Sequence, residues 1–168
     1  GYPDYNQYET AYLMQWSNYE SGYNFVQSLG ARLGMNYVQF RTALAICAMV
    51  ILWVGFNLLS SHVSSVVGMY AVTTFLIDTV QVRSTVMLAF EVLALGIILK
   101  KNNKLGDFVG LLLILVGAAF HTTGFLFLLA FLTWLVLRRY SIHMSIRLVT
   151  IMSVISLFTM SVSGIATN

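Results

Sequence analysis

Between Phe108 and Leu137 the chain runs 30 residues without a charged side chain, interrupted near the middle by His121-Thr122-Thr123-Gly124. One helix of that length would measure about 45 Å at about 1.5 Å per residue, half as long again as a hydrocarbon core of about 30 Å. It would need strong tilt to fit. Two short helices, about 108–119 and 123–137, broken near His121, need none. Charge separates the alternatives. Two helices put Lys100, Lys101 and Lys104 on the same side as Arg138, Arg139 and Arg147, as expected of cytoplasmic loops. One helix puts the two basic clusters on opposite sides. The pattern therefore predicts a broken helix with an imidazole at the break.

The rest of the chain belongs with that run. Of 168 residues, 58% are apolar and only 9% charged, with a mean hydropathy of +0.80. Soluble domains carry about 25% charged residues, so the expected fold class is all-α, a polytopic integral membrane protein. About six transmembrane or half-spanning helices are predicted, at about 37–59, 63–77, 84–99, 108–119, 123–137 and 147–165. The net charge of +3 is small and scattered, which argues against a nucleic-acid partner. The single cysteine, Cys47, excludes a disulfide framework and a thiolate metal site within the chain. The chain opens in polar sequence at Gly1 and stops just after an apolar run, which reads as a fragment of a larger membrane protein.

Residues 1–36 form a separate, tyrosine-rich segment ahead of the bundle at 37–165: seven of the nine tyrosines lie within the first 37 residues. Tyr5, Tyr8 and Tyr12 follow helical spacing, and Tyr23, Val26, Leu29 and Leu33 form an apolar stripe. The stripe predicts an amphipathic helix in the membrane interface. Asn36 is placed to cap the helix that starts at Tyr37. Counting spans from the basic loop puts residues 78–83 and the N-terminal segment on the outer side. Asp4, Glu20, Asp78, Arg83 and His121 then share one membrane face.

Each polar residue has a bland reading and a functional one. His121 can be a packed histidine bonded to a neighbouring backbone. Ionisable groups inside membranes usually mark function, however, and irregular backbone at depth is tolerated only beside protein or water. A neutral imidazole can act as general base toward a sugar hydroxyl. Arg83 can snorkel as an interfacial anchor, or its planar fork can bind phosphate oxygens. Asp78, five residues upstream, can simply pair with it. Glu91 lies in mid-span, with helix–helix hydrogen bonding as its expected role. Tyrosines mixed with Asp and Glu suit an interfacial belt or a carbohydrate-binding loop. His62, His121 and His143 fall in separate segments without ligand spacing, so no metal site is expected.

Three motifs in order resemble the EpsG family of bacterial polysaccharide polymerases, related to Wzy-type O-antigen polymerases. They are Asp4-Tyr5-x-x-Tyr8-x-x-x-Tyr12 with Glu20-Ser-Gly-Tyr23, the span start Val82-Arg83-Ser-Thr-Val-Met-Leu-Ala89, and the Lys100–Phe108 basic loop with Ala119-Phe-His121-Thr122-Thr123-Gly124. Ser21 stands where that family often has proline.

The resemblance implies a glycosyltransferase joining undecaprenyl-diphosphate-linked oligosaccharide units at the outer face of the bacterial cytoplasmic membrane. It implies no cofactor. Arg83 would bind the pyrophosphate and His121 would take the acceptor's proton. Asp4, Tyr5, Tyr8, Glu20, Tyr23 and Asp78 would bind substrate. Membrane lipid, a chain-length regulator and other polysaccharide-assembly proteins are the partners it suggests. A lipid-linked sugar transporter or flippase, a membrane acyltransferase and a non-catalytic subunit are the competing readings.

Overall fold

The computed structural model describes residues 3–64, 67–68 and 81–138. Asp78, the segment 147–165 and most of the segment 63–77 lie outside the described residues. The chain divides into two compact units, Gly1–Leu128 and Leu129–Asn168. Among the described residues the secondary structure is entirely helical: α1 Pro3–Leu13, α2 Ser21–Arg32, α3 Tyr37–Leu59, α4 Val82–Lys101, α5 Lys104–Ala118 and α6 Gly124–Leu137. Two of these, α3 and α4, are long and apolar enough to cross a membrane.

Side-chain caps set several of these boundaries. Asn36 Oδ1 accepts from the Gln39 amide at 2.9 Å, and Gln39 Oε1 accepts from the Asn36 amide at 3.0 Å, a reciprocal capping box that starts α3. At the α4–α5 corner the expected basic loop shrinks to two residues. Asn102 takes the left-handed conformation at φ 44°, which asparagine tolerates, and Asn103 Oδ1 accepts from the Gly106 amide at 2.8 Å. Helix α5 therefore begins at Lys104, four residues ahead of the expected Phe108. Lys100 and Lys101 lie in the last turn of α4, where a cation meets the negative end of the helix dipole.

In the first unit α4 packs along both α3 and α5, with small residues at the close approaches. A Cβ on Gly55 would lie 2.9 Å from the Leu93 nitrogen and 3.1 Å from its Cα, both backbone atoms. Gly96 answers from α4: a Cβ there would lie 2.8 Å from Leu58 Cβ. Gly55→Leu is thus expected to force α3 off α4 at a cost of about 1–3 kcal/mol. A fall of several degrees in the thermal midpoint of detergent-purified protein checks this; an unchanged midpoint would mean the contact is not tight.

The N-terminal helices pack through tyrosine. Tyr12, Tyr23 and Tyr37 are buried with Phe40. The Tyr12 hydroxyl donates to the Met35 carbonyl at 2.8 Å, and its ring stacks on Phe40 with centroids 4.9 Å apart. The face of α2 that packs on the protein is distinct from most of the apolar stripe. Tyr23, Gln27 and Gly30 are buried, while Leu29 and Leu33 are 46% and 65% exposed. Two contacts rotate the helix. Gly30 lets the Phe40 ring press against the backbone, and Gln27 Nε2 donates to the carbonyls of Ala11 and Trp16 at 3.2 and 3.3 Å.

In the second unit the Thr133 hydroxyl donates to the Leu129 carbonyl at 2.8 Å, Phe131 stacks on Trp134, and Arg138 lies over the Trp134 ring.

Candidate functional site

The break between α5 and α6 occupies residues 119–123. The amides of Phe120 and His121 both donate to the Gly117 carbonyl, at 2.9 and 3.3 Å, which tightens the last turn of α5. The Gly124 amide then returns to the His121 carbonyl at 2.9 Å, and α6 begins. Gly124 is buried against Ala118; a Cβ there would come within 3.0 Å of three Ala118 atoms, so the sharp reversal requires glycine.

The start of α2 docks on this break. The Gly22 amide donates to the Ala119 carbonyl at 2.8 Å. That contact carries Glu20, two residues earlier, to the break and to the start of α4. Glu20 is the N-cap residue of α2, yet its side chain makes no cap bond there. One carboxylate oxygen pairs with the Arg83 guanidinium, and the other accepts from the Thr122 amide at 3.3 Å. A single carboxylate so ties the N-terminal segment to α4 and to the helix break.

Arg83 lies in the first turn of α4, at the positive end of the helix dipole, where a cation is disfavoured by the helix itself. Its surroundings compensate. The Tyr8 hydroxyl oxygen accepts from Arg83 Nε at 3.0 Å and from Nη2 at 2.7 Å. The guanidinium also lies over three rings: Tyr19 at 4.6 Å, Tyr8 at 5.1 Å and Tyr23 at 5.8 Å. Arg83 and Glu20 are each 18% exposed, so the pair is partly desolvated while still reachable. Burial pushes the Tyr23 hydroxyl's pKa well above its ordinary value, with Tyr37, Tyr8 and Tyr19 adding to the rise and Arg83 opposing it. Tyr23 therefore stays neutral and contributes a ring face and packing.

Arg83 and His121 line one cavity of about 230 Å³, with Tyr8, Tyr19, Gln7, Gln81 and Ser84. This combination of amides, hydroxyls, ring faces and a cation suits a polar, hydroxylated, anionic ligand. Among the described residues no group of three or more His, Cys, Asp or Glu side chains is arranged to hold a metal.

Of the residues expected at the site, Tyr8, Glu20, Tyr23, Arg83 and His121 come together. Tyr5 lies apart from them, its ring edge-on to Tyr37 at 5.2 Å and under Arg41 at 5.3 Å. Asp4 is in the first turn of α1. Among the described residues Arg83 pairs with Glu20, and Asp78 lies outside them. Gln7, Tyr19, Gln81 and Ser84 escaped the sequence reading. Tyr19 carried a signal, since it neighbours Glu20 and sits at helical spacing from Tyr23; the others are ordinary polar residues beside Tyr8 and Arg83. Glu91 is buried against α5 at Gly117, and its Oε1 has no hydrogen-bond partner among the described residues, contrary to its expected role.

Fold and site together define a protein, helical throughout its described residues, that presents an arginine, a carboxylate and an imidazole where three chain segments converge. The chain matches the EpsG family over residues 1–168 and belongs to that family. Membership points to polysaccharide biosynthesis of the exopolysaccharide-polymerase kind. Comparison with curated proteins and with solved structures gives no match.

Proposed function

We propose that this protein is a multi-pass glycosyltransferase of the bacterial cytoplasmic membrane. In this reading it polymerises undecaprenyl-diphosphate-linked oligosaccharide units into a surface polysaccharide, with its active side facing outward. The observation that carries the proposal is the shared cavity of Arg83 and His121, built against a tyrosine-rich segment. Family membership and two helices of spanning length support it. The exposed side chains of Leu13, Met14, Trp16, Phe25, Leu29 and Leu33 give the N-terminal helices an apolar surface suited to the headgroup region.

The acceptor hydroxyl attacks the donor's anomeric carbon and gives up its proton to water. The bond from that carbon to the diphosphate oxygen breaks, and the electron pair leaves with the phosphate. Arg83 offers a planar fork to the diphosphate and stabilises the charge that develops on it. His121 is the second catalytic residue, acting at the same centre. Tyr8, Glu20 and Tyr23 position the sugars, with Asp4 and Asp78 completing the set, and Tyr19 joins them through its place on the cavity wall. A lipid diphosphate is already a good leaving group, so no nucleotide sugar is required. Chain-length regulators and other polysaccharide-assembly proteins are the natural partners.

The test uses the full-length protein in membranes with purified undecaprenyl-diphosphate oligosaccharide, resolving products by gel. Wild type is expected to give a ladder of longer glycans, and Arg83→Ala and His121→Ala to lose about 10²–10³-fold of it while remaining inserted. Normal ladders from both variants would sink the assignment of these residues. Bound substrate without any ladder from wild type would favour a transporter, for which the buried Glu91 would become the residue of interest.

A further inference from the structure

The hydrogen bonds of His121 restrict what its ring can do. Nδ1 lies 3.2 Å from the Thr123 backbone nitrogen, aligned to accept that N–H. The Thr123 hydroxyl is 2.9 Å from the same Nδ1 and 3.1 Å from Met87 Sδ, with one proton to give to either. A hydroxyl can reverse its role, but a backbone amide only donates. Nδ1 is therefore the acceptor and carries no proton. A neutral imidazole keeps one N–H, which this arrangement assigns to Nε2.

Nε2 is the ring nitrogen that remains for the cavity, and in this tautomer it has a proton to donate and no lone pair to receive one. A general base acting through Nε2 would need the opposite tautomer, with an Nδ1–H directed at the Thr123 N–H. The contacts on the far side reinforce the arrangement. Met87, buried, stands one turn beyond Arg83 on α4 and lies against the Thr123 hydroxyl, so α4 positions both the arginine and the residue that orients the histidine.

We infer that His121 serves as a hydrogen-bond donor through Nε2–H to the diphosphate oxygens, beside the Arg83 fork, and that the Thr123 amide holds it in that tautomer. The inference rests on the polymerase reading for its ligand, though the tautomer itself does not. The chemistry balances without a histidine base. In an oxocarbenium-like transition state the new carbon–oxygen bond forms as the bond to the leaving group breaks. The hydroxyl proton, made acidic as its oxygen bonds to carbon, passes to water, and the electron pair leaves on the phosphate oxygen facing Arg83 and His121.

Two readouts test this. The first is the nitrogen-15 spectrum of histidine-labelled full-length protein in lipid near neutral pH, with the His121 signals identified by their loss in His121→Gln. A protonated Nε2 and an unprotonated Nδ1 are expected, and a protonated Nδ1 in the neutral ring would overturn the inference. The second is the glycan ladder. Glutamine can donate from an amide placed much like Nε2 but cannot act as a base. His121→Gln is expected to stay within about tenfold of wild type, whereas His121→Ala should fall by the roughly 10²–10³-fold typical of a lost oxyanion donor. A glutamine variant as inactive as alanine would overturn the donor role. Absence of a wild-type ladder would count against the polymerase reading instead, and the spectrum would still decide the tautomer.

Discussion

Replacing Arg83 with lysine is expected to lower glycan polymerisation by about 10²–10³-fold, close to the effect of alanine, although the charge is kept. The guanidinium spreads its donors in a plane: Nε and Nη2 both reach the Tyr8 hydroxyl, and Nη1 reaches Glu20. An ammonium has one nitrogen and cannot span those partners. It also lacks the planar, delocalised face that the guanidinium offers to the rings of Tyr8, Tyr19 and Tyr23, over which Arg83 lies. Charge-assisted hydrogen bonds contribute about 1.5–3 kcal/mol each, and losing one or two gives the stated range. The measurement is the glycan ladder, normalised to inserted protein. Lysine activity within a few-fold of wild type would mean that Arg83 acts only as a positive charge, and the bidentate diphosphate role would fall.

The same residue shows where the sequence was readable and where it was not. Its place at a helix start, and the break at His121, follow from counting apolar residues and weighing loop charges, because spanning length and charge bias act locally. The start of α3 is also local, since Asn36 makes its capping bonds with a residue only three positions away. The partner of Arg83 is not local. Among the described residues Arg83 pairs with Glu20, 63 positions away in the chain, and the other oxygen of Glu20 meets Thr122, 102 positions from Glu20. No spacing rule encodes such pairs; they exist because α2 docks on the break. The face of α2 that packs on the protein is illegible for a related reason. Periodicity identified a helix, but the identity of the face was decided by Phe40 packing on Gly30, a contact that hydrophobicity counts cannot register. The early start of α5 carries no hydropathy signal, because Asn102 and Asn103 complete the corner inside the basic stretch that hydropathy reads as a loop.

Gly22→Val is expected to remove polymerase activity about 10²-fold or more while leaving the helical core in place. Gly22 holds the docking contact on which the site depends. A Cβ there would sit 2.7 Å from the Ala119 carbonyl oxygen, 3.0 Å from its carbon and 3.1 Å from Ala119 Cβ. Two of those atoms are backbone at the helix break, so the clash cannot be relieved by turning a side chain. Either the start of α2 lifts away or the break moves. Both separate Glu20 from Arg83 and from the Thr122 amide, and both disturb His121, two residues beyond Ala119. A displacement of about 1 Å at a catalytic constellation can cost about 10²-fold in rate. Gly22→Ala brings the same Cβ with nothing beyond it and should give an intermediate loss. Gly55→Leu provides the contrast, since it strains α3 against α4 away from the cavity and should lower stability more than activity. The two variants are compared by thermal midpoint and by glycan ladder on equal amounts of inserted protein. If Gly22→Val lost stability and activity only in the proportion seen for Gly55→Leu, its effect would be general unfolding. A near-normal midpoint with an absent ladder would tie catalysis to the seating of Glu20 on the helix break.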